Sequence, residues 1–70
     1  MLTRNDLDPI DAAALVIERH SAIKVNGVML DAQTAKAITV VYNALSPDNR
    51  AKMRTLSIER AGHVAWKLVS

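Results

Sequence analysis

The sequence predicts a mainly α domain of three to four short helices with one small β-hairpin over residues 22–30, its helices intertwined in a homodimer. Three observations predict it. Asn26-Gly27 separates two short runs in which apolar residues alternate. Asp8-Pro9 and Ser46-Pro47 each set a capping residue before a proline. Residues 32–45 are apolar around more of a helix than one covering surface can hide.

Taken in chain order, residues 1–7 carry no sustained pattern and are expected to form a flexible arm or a single turn. Asp is a good N-cap, and proline is favoured at the first helical position, where its missing N–H forfeits no helical bond. A helix is therefore predicted from Pro9 to His20. Ile10, Ala13, Ala14 and Ile17 form its apolar stripe, widened by Ala12, Leu15 and Val16. In the hairpin, a type I′ turn at Asn26-Gly27 sets Val25 opposite Val28, Lys24 opposite Met29 and Ile23 opposite Leu30. That register places Ile23, Val25, Val28 and Leu30 on one face. Asp31 closes the hairpin and caps a second helix, Ala32 to Leu45.

In this second helix, Gln33, Lys36, Thr39 and Asn43 make one narrow polar strip. Ala35, Ala37, Ile38, Val40, Val41, Tyr42, Ala44 and Leu45 fill most of the remaining circumference, about twice the roughly 100° arc of an ordinary surface helix. Two covers are needed. In a chain of 70 residues the second is expected to be another copy, with Ile38, Val41, Leu45, Val64 and Leu68 at the dimer interface.

Ser46-Pro47-Asp48 starts the third helix. One helix from Pro47 to Val69 would run about 34 Å, longer than a globule of this size is wide. Thr55-Leu56-Ser57 offers a break, with Ser57 as the next cap and Glu59 near the positive end of the new dipole. The preferred reading is two helices, Pro47 to Thr55 and Ile58 to Val69. A strand in which Val64, Trp66 and Leu68 alternate after Gly62 stays open as an alternative.

The composition limits what such a chain can be. Seventy residues make a single domain, residues 1–70, without cysteine and hence without a disulfide. The apolar residues are Ala, Val, Leu, Ile and Met, with no Phe, one Tyr and one Trp. Such a core barely offsets the ordering entropy of a lone copy, which again points to pairing. Net charge is +2, distributed as −1 over residues 1–45 and +3 over residues 46–70. No apolar run reaches membrane-spanning length and no basic-then-apolar leader opens the sequence, so a cytoplasmic protein with no membrane partner is expected.

Arg50, Lys52 and Arg54 put three cations at a helix start. Such a helix can meet phosphates, but no base-reading set accompanies it. Arg50 and Arg54, one turn apart, equally suit bidentate pairing with carboxylates of a protein partner. Tyr42 and Trp66 are the only aromatics and the natural anchors. Trp66 falls away from the arc of Ala61, Val64, Ala65 and Leu68. Arg50, Arg54, Tyr42 and Trp66 are therefore the candidate partner-binding residues. His20 and His63 are read as structural. No Ser/His/Asp set, paired carboxylates, glycine-rich phosphate loop or metal spacing is present, so neither catalysis, a metal nor another cofactor is expected.

The run Ile23-Lys24-Val25-Asn26-Gly27-Val28-Met29-Leu30-Asp31, the helix ending Tyr42-Asn43-Ala44-Leu45, and the tail Val64-Ala65-Trp66-Lys67-Leu68-Val69 resemble small early proteins of temperate phages and prophages. More specifically, they resemble the quorum-sensing anti-activators of Mu-like Pseudomonas phages. The pattern spans about residues 23–69 and is a scaffold pattern, so it transfers no binding residue. The resemblance implies a non-enzymatic homodimer in the host cytoplasm. Its implied partners are host proteins, a LuxR-type transcription activator and the assembly ATPase of type IV pili, which it inhibits. A small DNA-binding phage regulator using the basic helices after residue 46 is the alternative, with nucleic acid the less favoured partner.

Overall fold

The computed structural model describes residues 2–69 as seven elements: β1 (Leu2–Arg4), α1 (Pro9–Arg19), β2 (Ile23–Val25), β3 (Val28–Leu30), α2 (Ala32–Ala44), α3 (Pro47–Arg54) and α4 (Ile58–Val69). The domain is mainly helical, with a three-stranded sheet in the order β1-β2-β3. The hairpin register is Val25 with Val28, Lys24 with Met29 and Ile23 with Leu30. Asn26 at φ 51° and Gly27 at φ 82° supply the two left-handed residues of the turn.

Leu2–Arg4, expected to lie in an arm, instead form β1 and pair in parallel with Ile23–Val25. Parallel strands need a crossover, and α1 supplies it. The Asn26 N–H fastens the far end of this strand, donating to Arg4 O at 3.3 Å and to Asn5 Oδ1 at 3.1 Å. Met1 and Ser70 lie outside the described residues.

Each helix starts where a side chain satisfies its orphan donors. Asp8 Oδ1 accepts from the N–H groups of Ile10 and Asp11, Asp31 Oδ1 from Thr34, Ser46 Oγ from Asn49, and Ser57 Oγ from Arg60. Helix α1 ends on His20, which takes the left-handed conformation at φ 54°. The break at Thr55-Leu56-Ser57 separates α3 from α4, and residues 58–69 are helical throughout, so the strand alternative is gone.

The core joins Ala12, Ala13 and Val16 of α1, Ile23, Val25 and Leu30 of the sheet, Ala35, Ala37, Ile38 and Val41 of α2, Met53 of α3, and Ile58, Ala61 and Ala65 of α4. Helix α2 packs between α1 and α4. The second cover that the sequence reading assigned to another copy is therefore α4 of the same chain. Ile38 and Val41, placed at the dimer interface, are 0% and 5% exposed inside one copy, and Leu45 packs against the same core. The chain exposes 4498 Å², close to the roughly 4,300 Å² expected of a compact monomer of this mass.

The stripe that α4 turns inward also differs. Its buried residues are Ile58, Ala61, Gly62 and Ala65, whereas Val64 is half-buried and Leu68 exposed. Gly62 is what lets α4 approach α2 closely. A Cβ at that position would lie 3.1 Å from Thr34 Cγ2.

Candidate functional site

Three of the four candidate binding residues come together at the join of α1, α2 and α3. The Ser46-Pro47 cap starts α3 directly after α2, and residues 50 and 54 lie one turn apart on one face, over the end of α2. Arg50 donates from Nε to Tyr42 O at 3.0 Å and from Nη2 to Asn43 O at 2.8 Å, closing two carbonyls at the C-terminus of α2. Arg54 donates from Nε to Tyr42 Oη at 3.0 Å. Its Nη1 meets Asp8 Oδ2 at 2.8 Å and Asp11 Oδ1 at 3.4 Å. Both guanidinium carbons lie within cation–π range of the Tyr42 ring, 5.5 Å from its centroid for Arg50 and 5.2 Å for Arg54. The Tyr42 hydroxyl first and Asp8 second hold the Arg54 guanidinium in its charged form, pushing its pKa above the usual value.

This arrangement revises the role read from spacing. Arg50 and Arg54 do make bidentate and charge-assisted contacts, but with carbonyls and carboxylates of their own chain. Tyr42 is half-buried between them. The cluster ties three helices together and engages two nitrogens of each guanidinium within the chain.

Trp66 stands apart from that cluster. It is 45% exposed, and its Nε1 donates to Thr34 Oγ1 of α2 at 3.1 Å, so the ring is held in place while its face stays open. Leu68 is 62% and Val69 44% exposed in the same last turn. At helical spacing Val69 continues the row of Gly62 and Ala65, with Trp66 and Leu68 on either side of it. The buried stripe of α4 thus runs past the end of the body it covers, and its last turn is bare.

On the outer side of α4, Glu59, Arg60, His63 and Val64 line an open hollow of about 530 Å³. A second hollow of about 280 Å³, lined by Val25, Asn26, Val28, Ser57, Ile58 and Glu59, meets it at Glu59. Arg60 and His63 were not among the candidate partner-binding residues. Their signal was available, since they share the helix face that the apolar stripe leaves outward. Among the described residues no three His, Asp or Glu side chains gather as a metal would require, and no helix is long and apolar enough to cross a membrane. Comparison with protein-family models, with curated proteins and with solved structures finds no match to this chain.

Proposed function

We propose that this chain is a non-enzymatic protein-binding module that inhibits another protein by occupying its surface, with the bare last turn of α4 as its docking face. The observation that carries the reading is the exposure of Trp66, Leu68 and Val69 at the end of an otherwise covered stripe. Aromatic anchors dominate binding energy when they sit in such a patch. The bond from Trp66 to Thr34 already fixes the ring, so less side-chain freedom is lost on capture. Protein is favoured over DNA because Arg50 and Arg54, the cations that made α3 attractive to phosphates, bond within the chain.

The resemblance to phage early proteins nominates the targets: a LuxR-type transcription activator and the type IV pilus assembly ATPase of the host. It also implies a homodimer. With Ile38 and Val41 enclosed, a second copy has the exposed end of α4, Val40 and Met29 to use.

The test is co-elution of the purified chain with each purified candidate, alongside the Trp66→Ala variant, with the sedimentation mass of the free chain measured in parallel. Capture lost in Trp66→Ala at unchanged helicity supports the docking face. Equal capture by both forms, or none by either, rejects it for these targets. A shift on random duplex DNA that weakens steeply with salt supports the regulator reading instead.

A further inference from the structure

We infer that Asn26-Gly27 is a self-modification site, at which the Gly27 nitrogen displaces ammonia from the Asn26 carboxamide while the hairpin stays folded. The isoaspartate product unfastens β1.

The dipeptide supplies both reacting groups. Asn26 and Gly27 are exposed at the hairpin tip, and among the described residues the Asn26 carboxamide has no hydrogen-bond partner. Nothing stands within 4 Å of where a Cβ at Gly27 would be, so no neighbour shields the attacking nitrogen. The other asparagines, Asn5, Asn43 and Asn49, precede Asp6, Ala44 and Arg50, whose side chains crowd the same approach.

The Gly27 nitrogen gives its proton to solvent base and bonds to Asn26 Cγ. The Cγ–Nδ2 bond breaks and ammonia leaves, closing a five-membered imide. Water then opens the ring. Cleavage between Cγ and the nitrogen gives aspartate at position 26, and cleavage between the main-chain carbonyl carbon and the nitrogen gives isoaspartate, whose main chain runs through Cβ and Cγ. One water is consumed, one ammonia is released and nothing is oxidised or reduced.

The turn is one peptide flip from the geometry this closure needs. Asn26 at φ 51° and Gly27 at φ 82° are the left-handed pair of a type I′ turn, in which ψ of the first residue is about +30°. There the Gly27 nitrogen points away from Asn26 Cβ. Ring closure needs the two eclipsed about the Cα–C bond, which for a tetrahedral Cα means a ψ of about −120°, the value of a type II′ turn. Types I′ and II′ share the positive φ at the first residue and differ in the plane of the peptide between the two. Asn26 therefore already holds the φ of the reactive form. Residue 27, being glycine, takes the negative φ of type II′ as readily as its present positive one. Val25 stays opposite Val28 through the flip, because both turns close the same two-residue hairpin.

The product changes what the turn holds. The Asn26 N–H fastens β1 through Arg4 O and Asn5 Oδ1. Isoaspartate adds a main-chain carbon to a turn that closes on two residues, so the pairing of Val25 with Val28 and the aim of that N–H are lost together. It also adds a carboxylate to the hollow that Asn26 shares with Glu59.

The experiment holds the full chain in buffer for weeks, folded or unfolded in urea, and follows each asparagine by peptide mass spectrometry, with isoaspartate scored by enzymatic methylation. The folded chain is expected to gain about 1 Da at Asn26 alone, at a rate within about tenfold of the unfolded chain and rising with pH as the nitrogen is deprotonated. Asn26→Gly keeps a residue that accepts positive φ and is expected to abolish the gain at unchanged circular dichroism. The separated isoaspartate form is expected to exchange the amides of residues 3–5 at least about threefold faster than the parent chain. Slowing in the folded chain by more than about tenfold overturns the inference, because the chemistry then waits for the hairpin to open. Equal conversion at Asn5, Asn43 or Asn49, or a mass gain that persists in Asn26→Gly, overturns the site. Unchanged exchange of residues 3–5 in the isoaspartate form overturns the release of β1.

Discussion

Asp8 gives one carboxylate oxygen to its own helix and the other to Arg54. Oδ1 accepts from the Ile10 N–H at 2.9 Å and the Asp11 N–H at 2.8 Å, while Oδ2 accepts from Arg54 Nη1 at 2.8 Å. The start of α1 and its tie to α3 therefore depend on one side chain. Asn keeps a capping oxygen and loses the charge, whereas Ala loses both. Asp8→Ala is expected to lower the unfolding free energy by about 1–2 kcal/mol and Asp8→Asn by less than about 1 kcal/mol, because the cap outweighs a partly exposed ion pair. Urea unfolding of the two variants measures the difference. Equal losses would assign the effect to the ion pair instead.

Arg50 closes the end of α2 from outside the helix. Its two donors reach Tyr42 O, which also accepts from the Leu45 N–H, and Asn43 O, which lies at the open end of α2. Arg50→Ala is expected to cost about 1 kcal/mol, or a fall in melting temperature of about 4–8 °C in a domain of this size. Lysine offers a point charge rather than a fork, so Arg50→Lys should recover less than half of the loss. A melt that Arg50→Ala does not move would return this residue to the set available to a partner.

What could be read from the sequence was what is encoded locally. Asp8, Asp31, Ser46 and Ser57 cap the helices they precede because a cap acts on the next three residues. The hairpin register follows from Asn26-Gly27 alone. The strand Leu2–Arg4 was not legible, since its only bonds are to a parallel partner across α1 and three residues are too few to show a period. The apolar arc of α2 showed that two covers were needed but not whose they were. The answer depended in part on Gly62, which a hydrophobic pattern scores as neutral and which the structure seats against Thr34 of α2. The spacing of Arg50 and Arg54 was read correctly as one turn. Their targets were set by how α3 folds back on α2, which no local rule specifies.

Asp31 links the cap of α2 to acid stability. The Thr34 backbone N–H that its carboxylate accepts holds its pKa below the ordinary aspartate value. A carboxylate depressed in the folded state contributes stability that is fully present above its unfolded pKa and is lost as pH falls through the folded one. The acid limb of the stability curve should therefore steepen below about pH 4. Asn at the same cap does not titrate, so Asp31→Asn should leave stability near pH 7 almost unchanged and make the curve shallower below that point. Urea midpoints measured from neutral pH down to about pH 2 decide it. Parallel curves for the two chains would show that the bond to Thr34 does not discriminate between protonation states.

Gly62 and Thr34 should be coupled in stability. Glycine inside α4 costs up to about 1 kcal/mol relative to alanine, yet an alanine Cβ would meet Thr34 Cγ2 at 3.1 Å. Gly62→Ala alone is therefore expected to be neutral or destabilising by up to about 1 kcal/mol, the contact cancelling the propensity gain. Thr34→Ser removes the obstructing methyl and keeps the hydroxyl that accepts from Trp66 Nε1. In that background Gly62→Ala should stabilise by about 0.5–1 kcal/mol, so the double-mutant cycle should give a favourable coupling of at least about 0.5 kcal/mol. Trp66 emission that stays unchanged through the cycle would show that its hydrogen bond survives each variant. Additive energies would mean that the approach of α4 to α2 is set by something other than the missing side chain at position 62.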